Sequence, residues 1–279
     1  MILENTIKQA SQLLKNKNII SHELDVQVIL SDIMGVTRDF FIANSHINVS
    51  INTIKKFNHA IKRRINREPV AYIIGKKEFW SQDFVVNQAT LVPRPETELL
   101  IYKVVDFFKN KRINVLDIGT GSGCILLSIL KELDISRGVG IDISTKAIKT
   151  AQINSKNLNL FHQSKFKVFD ISIFNVGKYD LIVSNPPYIP SKDIKNLSKD
   201  IINYEPLVAL NGGLDGLDLI RKVIYKSNSL LKKNGLLAIE IGPNQYLKAS
   251  SLLRRRGFRE ISRQCDYNHN VRCIISTKV

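Results

Sequence analysis

The chain has 279 residues, 44% of them hydrophobic, with 41 Lys and Arg against 25 Asp and Glu and a formal net charge of +16. That is enough apolar material for a sizeable core in one large or two unequal domains, and the basic balance admits nucleic acid or another acidic surface as a contact. Several classes are disfavoured: no apolar run is long enough to cross a bilayer, the first residues pattern as an amphipathic helix without a signal-peptide core, and Cys124, Cys265 and Cys273 have neither metal-type spacing nor the even count of a disulfide framework. The five histidines form no ligand pattern either. The expectation is a soluble cytoplasmic protein with no membrane partner and no metal.

Residues 1–70 carry helical spacing. "TIKQASQLL" sets Ile7, Ala10, Leu13 and Leu14 on one stripe. A second helix fits 21–35, with Ser21 as its N-cap candidate, Leu24, Val28, Ile29 and Ile33 as its apolar positions and Gly35 closing it. "SINTIKKFNHAIKRRI" is a third. The basic run at 61–67, and another at 254–259, read as solvated helix faces. Residues 71–92 change to β-branched and aromatic types around Gly75, which predicts a β-hairpin linker. The unit from 93 to 279 then alternates. Strands are predicted at 114–118, 138–141, 167–169, 180–184 and 236–241, with helices at 124–133, 145–155 and 217–231. The tail from 258 supplies two more strands as a closing antiparallel pair. The fold class is α/β, a doubly wound, Rossmann-like seven-stranded sheet with a small N-terminal helical domain and a hairpin linker.

Three stretches carry chemistry. "VLDIGTGSGCILLSIL" ends a strand at Asp117 and places Gly119, Gly121 and Gly123 at alternate positions before a helix. Glycines at a strand-to-helix corner allow close approach of a ligand to the backbone, and the helix start adds free N–H donors. The third glycine comes one residue earlier than in the dinucleotide fingerprint. "GVGIDIS" puts Asp142 at the next strand end, where a carboxylate can accept both hydroxyls of a ribose or serve a helix start. "YDLIVSNPPYIP" ends a buried strand on Asn185, locked by Pro186 and Pro187 and followed by Tyr188. The Asn185 side-chain oxygen and the Pro186 carbonyl can each accept one N–H of a planar NH₂ group, aiming its weak lone pair at an electrophile. Tyr188 can lie flat against that group.

Together, Asp117 to Gly123, Asp142 and the Asn-Pro-Pro-Tyr run resemble S-adenosylmethionine-dependent methyltransferases that act on planar nitrogens. "PVAYIIGKKEFW", "TLVPRPETELL" and "YEPLVALNGGLDGL" are similar to the peptide chain release factor N5-glutamine methyltransferases, the PrmC/HemK family. The resemblance covers nearly the whole chain. It implies a methyltransferase sheet, S-adenosyl-L-methionine as cofactor, S-adenosyl-L-homocysteine as product, and methylation of the glutamine of the Gly-Gly-Gln motif in class 1 release factors. It implies that Gly119, Thr120, Gly121, Ser122 and Gly123 line the methionine part of the cofactor, that Asp142 holds the ribose, and that Ile171 lies against adenine at a position often aromatic in the family. Asn185, Pro186, Pro187 and Tyr188 would hold the glutamine, with Arg94, Glu96 and Thr97 shaping the nearby wall. The alternatives are a ribosomal-protein glutamine methyltransferase or a nucleic-acid amino-group methyltransferase. Against the latter, the N-terminal part resembles a protein-gripping helical domain, so direct nucleic-acid binding is not the expected main function. The family commonly has a glycine between the late Asp266 and Arg272, which this chain lacks.

Overall fold

The helical spacing of the first residues gives α1 (Leu3–Lys15), α2 (His22–Met34), α3 (Asp39–Ala43), α4 (Ile51–Ile65) and α5 (Val70–Ile74). The structure, a computed structural model, describes residues 2–279 and separates into this helical unit and a sheet unit. The helices close on Leu3, Leu14, Val26, Ile29, Leu30, Phe57 and Ile61. The apolar faces are turned slightly from the predicted ones. Leu13 and Leu24 are about half exposed, and Val26 and Leu30 hold the core side of α2 instead. Ser21 makes no capping bond; its hydroxyl donates to Asp25 at 2.9 Å.

Asp25 explains the turn of α2, because it is buried for a polar purpose. Its carboxylate accepts from Arg64 Nε at 2.6 Å, and Arg64, 5% exposed, lies on the core side of α4. The neighbouring Arg63 forks onto Glu68 at 2.6 and 2.7 Å and donates to the Tyr72 and Ile73 carbonyls. The basic run at 61–67 is therefore not simply a solvated face, since two of its arginines are internal fasteners. The run at 254–259 does stand in solvent at Arg254, Arg255, Arg256 and Arg259.

In the sheet unit, β1 (Lys76–Phe79) and β2 (Gln82–Val85) pair as the hairpin. Phe79 and Phe84 meet edge to face at 6.1 Å within the core under the sheet. A 3₁₀ turn at Pro95–Thr97 leads into α6 (Glu98–Phe108). There follow β3 (Asn114–Ile118), α7 (Cys124–Glu132), β4 (Arg137–Asp142), α8 (Thr145–Asn157), β5 (Ser164–Val168) and β6 (Tyr179–Ser184). The fifth strand thus begins three residues ahead of its predicted start. The chain then gives α9 (Lys199–Tyr204) to the helical unit. There Asp200 accepts from Arg64 Nη1 at 2.6 Å, and the Tyr204 hydroxyl donates to the Asn66 carbonyl at 2.8 Å.

The remaining elements are α10 (Asp218–Leu230), β7 (Leu231–Glu240), α11 (Tyr246–Arg255), β8 (Phe258–Cys265) and β9 (Val271–Lys278). The seven strands lie in the order β5-β4-β3-β6-β7-β9-β8, the first five parallel and β9 antiparallel to both of its neighbours. Alternate residues feed opposite cores. Leu181 and Val183 pack on one face of β6 with α7, and Ile182 packs on the other with α10. Burial on both faces is why these strands read as apolar runs rather than alternating ones. The turn between β8 and β9 has no glycine; His269 takes its left-handed conformation, with φ of 61°, and the Asp266 carboxylate accepts from the backbone of Asn268 and Asn270. Among the described residues, no helix is long and apolar enough to cross a membrane and no acidic, His or Cys cluster could hold a metal.

Arg64 sits between Asp25 and Asp200, so its removal strands two carboxylates in a poorly hydrated place. Arg64→Ala is expected to destabilise the helical unit by about 3 kcal/mol, read as an earlier unfolding midpoint in urea monitored by circular dichroism. An unchanged midpoint would show that the triad contributes no net stability.

Candidate functional site

The register of the parallel strands brings their carboxyl ends to one level. Ile118 of β3 is paired with Ile141 of β4 on one side and Ser184 of β6 on the other, and Ser184 is paired with Ile239 of β7. One residue further along each strand therefore lie Gly119, Asp142, Asn185 and Glu240. The strand order reverses beside β3, which is where open α/β sheets form ligand crevices. A cleft of about 400 Å³ opens there, within the usual range for small-molecule sites.

Gly119 and Gly121 form its floor. Both have positive φ, 72° and 55°, and nothing lies within 4 Å of where a Cβ would stand. The loop thus leaves room for a ligand directly against its backbone. Gly123 has a different duty: a Cβ there would meet Ala151, Leu127 and Phe166 at 3.1–3.2 Å, so it serves packing and does not line the cleft. Gly119 and Thr120 both donate to the Ile141 carbonyl, at 2.9 and 3.0 Å. The Asp142 carboxylate accepts from Gly121 N–H at 3.0 Å and Ser144 N–H at 2.9 Å, while Ser144, not Asp142, caps α8. Each Asp142 oxygen keeps lone-pair capacity for a further donor. Burial pushes its pKa up. Asp117 is fully buried; it accepts from the Thr120 hydroxyl at 2.6 Å, its other oxygen has no partner, and burial raises its pKa to about 7.

Gly119, Thr120, Gly121, Ser122, Asp142, Ile171, Asn185, Pro187, Arg94 and Thr97 all line the cleft. Pro186 and Tyr188 stand behind Asn185 and Pro187 rather than on the cleft wall, and Glu96 points outward as an exposed residue. Arg94 pairs with Glu205 at 2.5 Å, and the other Glu205 oxygen accepts from Val92 N–H at 3.2 Å. The buried Glu205 thereby ties the Pro-Arg-Pro segment down. Ile171 is 4% exposed, and Phe169, two residues earlier, adds an aromatic to the same wall.

The Asn185 amide donates from Nδ2 to Thr97 Oγ1 at 3.1 Å; its Oδ1 has no partner among the described residues. Thr97 in turn donates to Glu240 Oε2 at 2.6 Å. Arg272 Nη2 lies 3.8 Å from Glu240 Oε1 and donates to the Tyr188 hydroxyl at 3.0 Å. Burial pushes the Tyr188 hydroxyl up to about 12, and burial raises Glu240 to about 7. Glu240, Arg272 and Glu205 escaped the sequence reading, because an acid inside an apolar strand or an arginine after a turn carries no local signal of its partner. The one available hint was the acid closing the apolar run "GLLAIE", an unusual residue to bury.

These features match known proteins. A family profile described as the PrmC N-terminal domain fits residues 5–75, and one described as a methyltransferase domain fits residues 109–278. The chain is 35% identical to the release factor glutamine methyltransferase of Clostridium acetobutylicum, over 100% of this chain and 99% of that one. It is 40% identical to that of Buchnera aphidicola subsp. Schizaphis graminum, over 91% and 92%. Among solved structures it resembles a methyltransferase from Pyrococcus furiosus, with TM-score 0.53, 17% identity and coverage of 79% of this chain and 98% of that one. It also resembles the hMettl16 catalytic domain in complex with the MAT2A 3'UTR hairpin 6, with TM-score 0.59, 14% identity and coverage of 90% and 92%. At such identities the structural likeness speaks for the fold, a Rossmann-like methyltransferase sheet. The full-length sequence identity speaks for more: the chain belongs to the release factor glutamine methyltransferase family.

Proposed function

We propose that this methyltransferase uses S-adenosylmethionine to methylate the side-chain amide nitrogen of the glutamine in the Gly-Gly-Gln motif of class 1 release factors. The observation that carries this reading is the Asn185 carboxamide. Its N–H₂ is engaged with Thr97 and its oxygen is left unpaired, at a strand end level with the glycine corner and Asp142. The names of the relatives support the release factor as substrate.

The cleft suits the cofactor. The uncovered backbone of Gly119 and Gly121 can lie against its methionine part, Asp142 has free lone pairs for ribose hydroxyls, and Ile171 with Phe169 gives an apolar wall for adenine. When bound, S-adenosylmethionine supplies an electrophilic sulfonium methyl, with S-adenosylhomocysteine as the leaving group. The protein's own part is positional. A glutamine amide nitrogen is a poor nucleophile because its lone pair is delocalised into the carbonyl. Asn185 Oδ1, on the cleft wall, accepts one of its N–H bonds, which holds the nitrogen and stabilises positive charge as it forms the new bond to carbon; the Pro186 carbonyl is the acceptor that the motif offers for the other. The proton is acidic only once that bond exists, so it can leave to water without a dedicated base. Pro187 lines the cleft beside Asn185, and Tyr188, held through its hydroxyl by Arg272, braces this segment from behind.

Incubation with labelled S-adenosylmethionine and a purified class 1 release factor is expected to add one methyl group to the Gly-Gly-Gln glutamine, located by peptide mass spectrometry. Label entering only RNA or DNA in parallel reactions overturns the reading. Asn185→Ala is expected to lower kcat about 100-fold to 1,000-fold while calorimetric cofactor affinity stays nearly unchanged. Asp142→Ala should do the reverse, weakening the cofactor by about 10-fold to 100-fold, because it loses both the ribose acceptor and the tether on Gly121; unchanged affinity rejects that assignment.

A further inference from the structure

We propose that Thr97 and Glu240 are positioning residues that fix which end of the Asn185 carboxamide faces the cleft. This rests on the reading of Asn185 as the acceptor for the substrate amide. A carboxamide has two ends of nearly equal shape, one accepting and one donating. Only the oxygen end can receive a substrate N–H; with the amide reversed, two N–H₂ groups would confront each other.

The selection works through a single hydroxyl hydrogen. Thr97 Oγ1 stands between Asn185 Nδ2 at 3.1 Å and Glu240 Oε2 at 2.6 Å. An ionised carboxylate only accepts, so the Thr97 hydrogen must point at Glu240. The Thr97 oxygen then offers Asn185 a lone pair and nothing else. The Asn185 amide meets it with N–H₂, and Oδ1 is turned away as the free acceptor. A reversed amide would set oxygen against a hydroxyl oxygen whose hydrogen is already committed. Both relay residues are almost wholly buried, Thr97 being 2% exposed and Glu240 1%, so little solvent competes for their hydrogen bonds.

The fold gives each member a fixed place. Asn185 and Glu240 follow paired residues, Ser184 and Ile239, on adjacent parallel strands, and the 3₁₀ turn at Pro95–Thr97 brings the hydroxyl to them. The groups around Glu240 are Thr97, Arg272, Tyr188 and Glu96, together with the Cys124 and Cys273 thiols. Arg272 favours the ionised form, and burial opposes it. Once protonated, Glu240 can donate to Thr97, the Thr97 hydrogen is released towards Asn185, and the reversed amide becomes acceptable. Orientation is therefore lost on the acid side of about pH 7.

The test uses steady-state methylation of the intact release factor by full-length variants. Thr97→Val keeps the shape and removes the hydroxyl; it is expected to lower kcat about 100-fold with cofactor affinity unchanged, as a misplaced acceptor would. Thr97→Ser restores the hydroxyl and should recover most of that loss. Wild-type kcat should fall as pH drops below about 7, and Glu240→Gln should flatten that fall, an effect that a purely structural role would not produce. A valine variant with near wild-type kcat overturns the proposal, and so does a serine variant as slow as the valine one. If Thr97→Val does not fold, an acid-side fall that survives Glu240→Gln overturns it instead. If the wild-type protein labels no release factor, it is the substrate reading that fails, which the variants would not reveal.

Discussion

The site depends on the pairing of β3 with its two parallel neighbours. That register is a backbone matter, seen in the parallel pairing of Ile118 with Ile141 and Ser184, yet it decides which side chains share a cleft. Since side chains alternate across a sheet, a slip of one residue in either strand would turn its apolar set from one core to the other. The two cores, one containing Val183 and the other Ile182, therefore lock the register, and the register delivers Gly119, Asp142 and Asn185 to one level. The crossover helices then lie on both faces and leave the carboxyl edge open.

Around that edge the protein accepts the cost of burying charge. Asp117, Glu205 and Glu240 are all buried, and Arg272 is nearly so. Isolated burial of such groups is costly, and paired burial is often no better than neutral. What they give is direction. Glu205 fastens Arg94 and the Val92 backbone, Asp117 holds Thr120, and Glu240 holds Thr97. Each bond restrains a residue next to the cleft in a place with little water to compete. The helical unit uses the same device at Arg64, where a cation that looks superficial in sequence joins residues far apart in the chain.

Much of the architecture was legible in advance for identifiable reasons. The alternation of apolar runs with amphipathic segments announces a parallel sheet with crossovers, and the closing antiparallel pair follows from two strand-like runs too close together for a helix between them. The start of β5 carries little signal because "SKFKV" is mostly polar: as an edge strand of the sheet it buries little. The faces of α1 and α2 were slightly rotated because an apolar stripe on a short helix fits several centres, and the buried Asp25 shifted the choice. The segment 198–204 carries no sign that it belongs with the helical unit, since the reason is a carboxylate meeting Arg64 across nearly half the chain.

The glycine corner, the acid one strand later and the proline-locked Asn185 are set by neighbours in the chain, because each is a local demand of backbone geometry written in consecutive residues. How that amide is held is a property of the assembled fold. Thr97, Glu240, Arg272 and Tyr188 come from separate elements, and their hydrogen bonds exist only when the strands are in register and the turn before α6 is seated. Short-range preferences fix conformation within a few residues. The direction of a buried hydrogen-bond chain depends on groups that meet through folding, where little water competes for their bonds.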